Sequence, residues 1–402
     1  MPYLYDCKIL MHLRNRKLVV FLVLSGLLLS IIIILTWSKT SEDRPVVNQR
    51  TVHPTAENIP TITDPSFILR SEVSGRDAER SFMDKTDYEE IVIGVNEGDL
   101  SEMIGSIRDV ATDYRGTLFV LDREYNHVRV YDYDGSFISM FGGPGEGPGE
   151  LLGPQKLLIA DQGRTIAVRD GGRAVDIFER QDSTTFRVRS SFATEEAGFA
   201  GCAMNGYLYL LGFSHELEGV IHKYTLEGER VASFGAPYKS SNPMIREDLS
   251  TRGLLACSEE EGIVAWAREY IPVLTGFTEI GEVAWQVFFA DFKSHKIIES
   301  QAEDGTPQVM FYRPEVGESI FGTLFTDSSG NYFYVGYTTM VDSANSRLHS
   351  KIHLFRVDAR TGEGTYLGDA PHVYAVDTNH IITMDNYPFP QVKIYRHKEA
   401  LN

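Results

Sequence analysis

Short apolar runs alternating with polar residues, separated by polar turns, fill the chain from Phe67 onward. The clearest stretch runs Gly116-Thr-Leu-Phe-Val-Leu-Asp122, Asn126-His-Val-Arg-Val-Tyr-Asp132 and Asp134-Gly-Ser-Phe-Ile-Ser-Met-Phe-Gly142. Period-two alternation in runs of this length predicts β-strands, and the turns between them predict antiparallel pairing. One such sheet cannot bury both faces alone, so its recurrence predicts stacked sheets in a β-propeller. No stretch reads as a convincing amphipathic helix.

Six units align on an inner Asp, or its equivalent, and the strand that follows. Asp113-Tyr-Arg-Gly-Thr-Leu-Phe-Val-Leu-Asp122 matches Asp161–Asp170 and Asp327–Gly336, and Asp377–Asp385 is one residue shorter. The runs from Met204 and from Glu260 carry the pattern without the Asp. Their separations of about 42 to 68 residues suit four-stranded blades with some long loops. Each Asp has a structural task, capping the turn between first and second strands. The last unit supplies only three strands. The run Ile91-Val-Ile-Gly-Val-Asn-Glu-Gly resembles the end of the first unit, Ser139-Met-Phe-Gly-Gly-Pro-Gly-Glu. It is therefore expected to add to the last blade as its outer strand, removing an open seam.

The repeat Gly-x-Leu-Phe-Val-x-Asp, Asn-His-Val-Arg-Val-Tyr-Asp, Asp-Gly and Phe-Gly-Gly-x-Gly-x-Gly-Pro-Gly-Glu resembles the NHL repeat. The chain over about residues 67–398 is similar to bacterial membrane-anchored or secreted six-bladed β-propeller proteins of that superfamily. The similarity is strongest over Ile107–Gly142 and only topological from the third unit on. It implies an all-β, six-bladed propeller of four-stranded antiparallel blades with an extracytoplasmic address. It implies little about chemistry, because such relatives include binding scaffolds, sensors, lyases and lactonases.

Charge and hydropathy add an N-terminal organisation. Residues 18–37 hold no charge, and twenty residues at about 1.5 Å each match a bilayer core. Arg14, Arg16 and Lys17 precede them, which places residues 1–17 in the cytoplasm and the remainder outside, with 18–37 as a transmembrane signal anchor. A cleaved signal peptide is the competing reading. Residues 38–66, rich in Ser, Thr, Pro and charge, read as a flexible linker to the propeller at 67–398. The net charge is −18, with residues 1–39 at +4, which leaves −22 for the rest. A domain of that charge repels phosphate backbones, so nucleic acid is not an expected partner. Of three cysteines, Cys202 and Cys257 fall near the innermost strands of neighbouring repeats. Aligned on Gly206 and Gly262 they occupy adjacent registers and point to opposite faces, which predicts separate buried thiols.

Loops joining second to third strands emerge at one end of a propeller, together with the interblade connections. They bring Arg123, Tyr125, Asn126, Arg173, His215, Arg268, Tyr270, Tyr337 and Tyr387 toward one rim. Three arginines there suit a carboxylate, phosphate or sulfated ligand, and the aromatic rings add stacking surface. The histidines are scattered, with no pair in equivalent registers of successive units, so no cofactor is expected. The run Gly142–Glu150 has neither the Lys-Ser/Thr ending nor the helix of a phosphate loop, and reads as an interblade turn. The leading expectation is a membrane-tethered binding module using one loop-rich face. Its partner would be an extracytoplasmic protein, peptide or carbohydrate, with the membrane engaged through the N-terminal helix. One alternative is a lactonase-like lyase or hydrolase with calcium or zinc in the central funnel. A second is a structural component of an envelope complex.

Overall fold

The computed structural model describes residues 47–59, 69–75, 80–99, 102–171, 173–301, 305–311, 315–341 and 350–401. The chain divides into two compact units, the first being Met1–Asn48 with Gln301–Thr306. The account below concerns the second, Gln49–Ser300 with Pro307–Asn402. The expected membrane anchor at 18–37 lies outside the described residues. Among the described residues no helix is long and apolar enough to cross a membrane.

Six antiparallel sheets, each with four consecutive antiparallel strands or their equivalent, carry the fold. Their first strands are Ile107–Thr112, Pro154–Ala160, Gly201–Met204, Gly253–Ser258, Ser319–Thr326 and Val373–Val376, which begin blades one to six. Each first strand contacts the next in this order, and that of blade six contacts that of blade one. The sheets therefore form a β-propeller. The strand Tyr88–Ile93 supplies the fourth strand of the last sheet, with Ile91 opposite Ile394 and Ile93 opposite Val392. This is the pairing expected from the sequence.

Alternation explains the packing. In blade one Phe119 and Leu121 meet Leu157, Ile166 and Val168 of blade two, while Leu118 and Val120 meet Ala375, Ile382 and Ile394 of blade six. Comparable apolar clusters join blades two and three, three and four, four and five, and five and six. Fully burying one such Leu, Val or Phe contributes roughly 1.5–3 kcal/mol. The repeated Asp caps the turn as expected in blades one, five and six, whereas the Asp161 carboxylate of blade two accepts the Thr165 hydroxyl at 3.0 Å. Asp113 Oδ1 accepts the amides of Arg115 (2.8 Å) and Thr117 (2.9 Å), and Asp377 Oδ1 those of Asn379 and His380, both at 2.8 Å. In blade four the Ser258 hydroxyl substitutes, accepting from Glu261 N at 3.1 Å.

Three sequence expectations are corrected. Cys202 and Cys257 form a disulfide, with Cα atoms 5.6 Å apart. Opposite faces of equivalent sheets are the two that meet between neighbouring blades, so the register argument favours a bridge rather than forbidding one. Second, a helix spans Pro243–Thr251 between blades three and four. Asn242 caps it, its Oδ1 accepting from Met244 N at 3.0 Å, Pro243 opens it, and Ile245 and Leu249 are buried. Third, part of the expected flexible linker is ordered. It holds the strand Val47–Val52, and Asn58 Nδ2 donates to Tyr238 Oη at 2.8 Å beside a buried Ile59. Its apolar residues Val52, Ala56 and Ile59 join a cluster with Tyr238, Ile245 and Leu249.

The N-terminal segment also does more than complete blade six. Leu69–Val73 lies parallel to Val283–Phe289 as a fifth strand of blade four. Ser81 bridges to Asp369 of blade five before the chain reaches blade six. The outer edges of three successive blades are thus covered by one strap, which leaves fewer unpaired edge groups.

Candidate functional site

The first strand of each blade stands at the edge of its sheet, with no strand on its inner side among the described residues. They surround a cavity of about 1070 Å³, lined from both ends of these strands. Ligand sites commonly occupy roughly 300–1,000 Å³.

A shared local irregularity decides what faces this cavity. In blade one the pairing skips from Ile107 opposite Asp122 to Asp109 opposite Leu121, leaving Arg108 as a bulged residue. Blade two skips Gln155, blade five Gly322 and blade six Tyr374. All four extra residues line the cavity. A bulge re-aims one side chain out of the pleat, and here it does so at the same place in four blades. Arg108 is thereby left exposed, whereas Tyr374 still packs against the core between blades six and one.

The bulges are held by carboxylates. Buried Asp122 accepts Gly105 N at 3.1 Å, Ser106 N at 3.2 Å and Arg129 Nε at 3.0 Å, fixing the approach to Arg108. Asp109, buried, accepts Leu157 N at 2.8 Å and Lys156 Nζ at 3.0 Å, tying blade one to blade two. Arg108 itself is exposed, and no carboxylate among the described residues pairs with it. Burial raises the Tyr374 hydroxyl, further raised by Asp109 and relieved by Arg108.

Blade four, three places round the ring from blade one, supplies the opposite wall. The helix Pro243–Thr251 contributes exposed Glu247 and half-buried Asp248 to the lining. Arg252 Nε lies 3.0 Å from Asp248, its Nη1 lies 3.8 Å from Glu269, and its guanidinium sits over Phe311 at 4.7 Å. Burial raises the Glu269 carboxyl above the usual range, an effect that Arg252 opposes. Phe199, 56% exposed, adds an aromatic surface between these walls. At this end the cavity therefore has Arg108 and Lys156 against Asp109 on blades one and two and an excess of carboxylates on blade four, while toward the other end Asp113 and Asp161 outnumber Arg115.

At the other end, Tyr114 reaches from blade one to blade five, where its hydroxyl donates to the Thr326 carbonyl. Its φ of 54° is unusual for a bulky residue, and the neighbouring structure must hold it there.

The residues singled out from the sequence are spread more widely. Arg123, Arg173 and His215 are exposed at the expected end of blades one, two and three, and Tyr387 is 71% exposed at that of blade six. Tyr125 is half-buried, with the Arg129 guanidinium 5.7 Å from its ring centre. Asn126 serves its own turn, with φ 54° and Oδ1 accepting Gly153 N at 3.0 Å. Arg268, Tyr270 and Tyr337 are not on the rim but buried. Arg268 stacks 3.4 Å over Trp266 and donates to the Ala236 carbonyl, and its pKa is lowered by burial to about 9. Tyr270 stacks on Phe311, and Tyr337 joins the blade four–five core. None of these residues lines the central cavity. Arg108, Lys156, Glu269 and the helix were missed. The signal available was a polar residue at the start of successive first strands, and the Asn-Pro helix start at 242–243. Among the described residues, no group of three or more His, Cys, Asp or Glu is placed to hold a metal ion.

Comparison with known proteins fits this architecture. A family model described as a 6-bladed beta-propeller matches residues 99–185, which span blade one and most of blade two. That description does not specify the narrower NHL repeat. No curated protein matches the chain in sequence. A Bacteroides fragilis structure described as an exported protein is 10% identical, with TM-score 0.50, over 82% of this chain and 99% of that one. A DUF4221-family structure from Bacteroides vulgatus gives 10% identity and TM-score 0.50 over 77% of this chain and 96% of that one. Sheet order, interblade cores and these likenesses together make the chain a β-propeller of six sheets.

Proposed function

We propose that the chain is an extracytoplasmic, membrane-tethered binding module that seats its ligand in the central cavity. The observation that supports this reading is the cavity of about 1070 Å³ with a charged lining, into which a bulge delivers Arg108. A rigid ring holds such groups in place, so little ordering cost accompanies binding. Exposed Arg123 and Arg173 lie at the loop-rich end and would contact the outer part of a larger ligand. The disulfide suits an oxidising compartment. The uncharged run at 18–37 would supply the tether, and the NHL-like repeat accords with exported relatives.

Gly322 provides the test. It lines the cavity, and a Cβ placed there meets only Thr338 Oγ1, at 3.8 Å. A Gly322→Trp variant should fold and fill the cavity. Full-length protein would be screened by thermal shift against peptides, oligosaccharides and small carboxylates. The reading expects at least one class to raise the melting temperature, and Gly322→Trp to abolish that shift. Ligand shifts that persist in Gly322→Trp would place binding elsewhere.

A further inference from the structure

At the end of the cavity that holds Arg108, blades one and two bring Arg108 and Lys156 against Asp109, while blade four brings Glu247, Asp248 and Glu269 against Arg252. The two walls there differ in charge sign, and this narrows the ligand, given the binding reading above. Arg108 offers a guanidinium with no ion-pair partner among the described residues, the fork that best matches a carboxylate. Lys156, 30% exposed at its side chain, stands beside it on blade two, partly neutralised by Asp109. On blade four, Glu247 is exposed and makes no ion pair among the described residues. Glu269 lies 3.8 Å from Arg252 and shares a side-chain hydrogen bond with Tyr270, which leaves its carboxylate further acceptor capacity. A ligand that complements both walls carries a carboxylate at one end and an ammonium at the other. We propose that the central cavity takes a short peptide with free termini, its carboxylate on Arg108 and Lys156 and its ammonium at Glu247 and Glu269.

Two further features favour a peptide over a smaller zwitterion. The cavity greatly exceeds a single amino acid, which occupies on the order of 100–200 Å³ in a packed interior. The inner edges of the first strands also present main-chain groups with no strand partner, suited to hydrogen bonds with an extended backbone. Leu157 N is one edge group already taken, by Asp109. Phe199 supplies apolar contact for a ligand side chain. The raised Glu269 carboxyl fits the same scheme, since a nearby ammonium would favour its ionised form.

The test uses full-length protein and pooled tri- and tetrapeptides covering all side-chain classes. Retained peptides are identified by mass spectrometry, and their affinities are measured by calorimetry. The same pool is supplied with free termini, N-acetylated, or C-amidated. Peptides with free termini should be retained, and either block should weaken binding at least tenfold. Arg108→Gln should erase the difference between free acid and amide. Glu269→Gln should reduce the difference between free amine and acetyl group, with Glu247→Gln lowering the remainder. Both Arg108 and Glu247 are exposed, so those variants should retain the parent melting temperature. Equal retention of free and blocked pools overturns the proposal, as does no retention of any peptide. If peptides fail while another compound class binds and is displaced by Gly322→Trp, the cavity remains the site and only the peptide assignment falls. If nothing binds in either experiment, the binding reading falls with it.

Discussion

Replacing Cys202 and Cys257 together with alanine would free the first strands of blades three and four from their covalent tie. The two cysteines are 55 residues apart in sequence. In the chain-entropy treatment, closing a loop of that length removes about 14 cal/mol/K from the unfolded state, or about 4 kcal/mol at 25 °C. With unfolding entropy of about 2.1 cal/mol/K per residue over roughly 300 residues, that corresponds to a melting-temperature loss of about 6 °C. The native contacts around the bridge should survive, because Tyr209, Leu211, Val264 and Trp266 hold the same interface. The assay is guanidinium unfolding of parent and double variant, each with and without reductant. The parent without reductant should stand alone, and the other three samples should coincide. A loss below about 1 kcal/mol, or a reductant effect that persists in the variant, would show that the bridge does not act by restricting the unfolded chain.

Further expectations follow from the last blade, the bulges and a buried histidine. Ile93, 4% exposed, packs with Ile107, Val392 and Ile394 where the N-terminal strand joins blade six. Ile93→Ala should cost about 2–5 kcal/mol in denaturant unfolding, and a cost under 1 kcal/mol would contradict the pairing. Asp122→Ala leaves Arg129 buried without its carboxylate and should cost about 3–5 kcal/mol, measured the same way. It should also weaken ligand binding through the loosened Gly105–Ser106 approach to Arg108. His222 is buried, with Nε2 donating to the Gly212 carbonyl at 3.2 Å and Nδ1 accepting from the Ser233 hydroxyl at 2.8 Å. Burial lowers its pKa, so its neutral form is the native one. Its stabilising contribution is present above about pH 6.5 and is lost as pH falls through the lower folded-state value. His222→Gln should therefore flatten the stability decline below about pH 6.5, and an unchanged slope would remove His222 as its source.

Much of this fold was legible because each repeat states its own geometry. Asp113, Asp327 and Asp377 cap turns that their spacing announced, and alternation in Leu118-Phe-Val-Leu121 divides cleanly between blades six and two. The closing strand at Ile91 was legible by its likeness to the end of the first unit. The strap from Leu69 to blade four was not, since parallel pairing with Val283–Phe289 leaves no turn signature. The disulfide was misread because a face rule for one sheet was applied across two. Neighbouring blades present front to back, so Cys202 and Cys257 needed opposite faces in order to meet.

The cavity lining was hidden for a different reason, and that reason bears on function. Reading strands by strict alternation assigns every first-strand residue to one interblade face or the other. A bulge inserts a residue outside that alternation, so Arg108, Gln155 and Gly322 escape the apolar pattern, while Tyr374 still packs against the core of blades six and one. A guanidinium, an amide, a bare backbone and a phenol stand at four equivalent places. Packing would tolerate no such variety, since each interblade face demands closely matched apolar volumes. Arg108, Gln155 and Gly322 can therefore change without disturbing the ring, and all four positions line the cavity. The rim arginines, Arg123 and Arg173, lie farther along the chain, past the second strands, and can act only on a ligand that extends beyond the mouth. On the proposed binding reading, recognition therefore starts from the bulged Arg108, with the carboxylates of blade four as its counterpart.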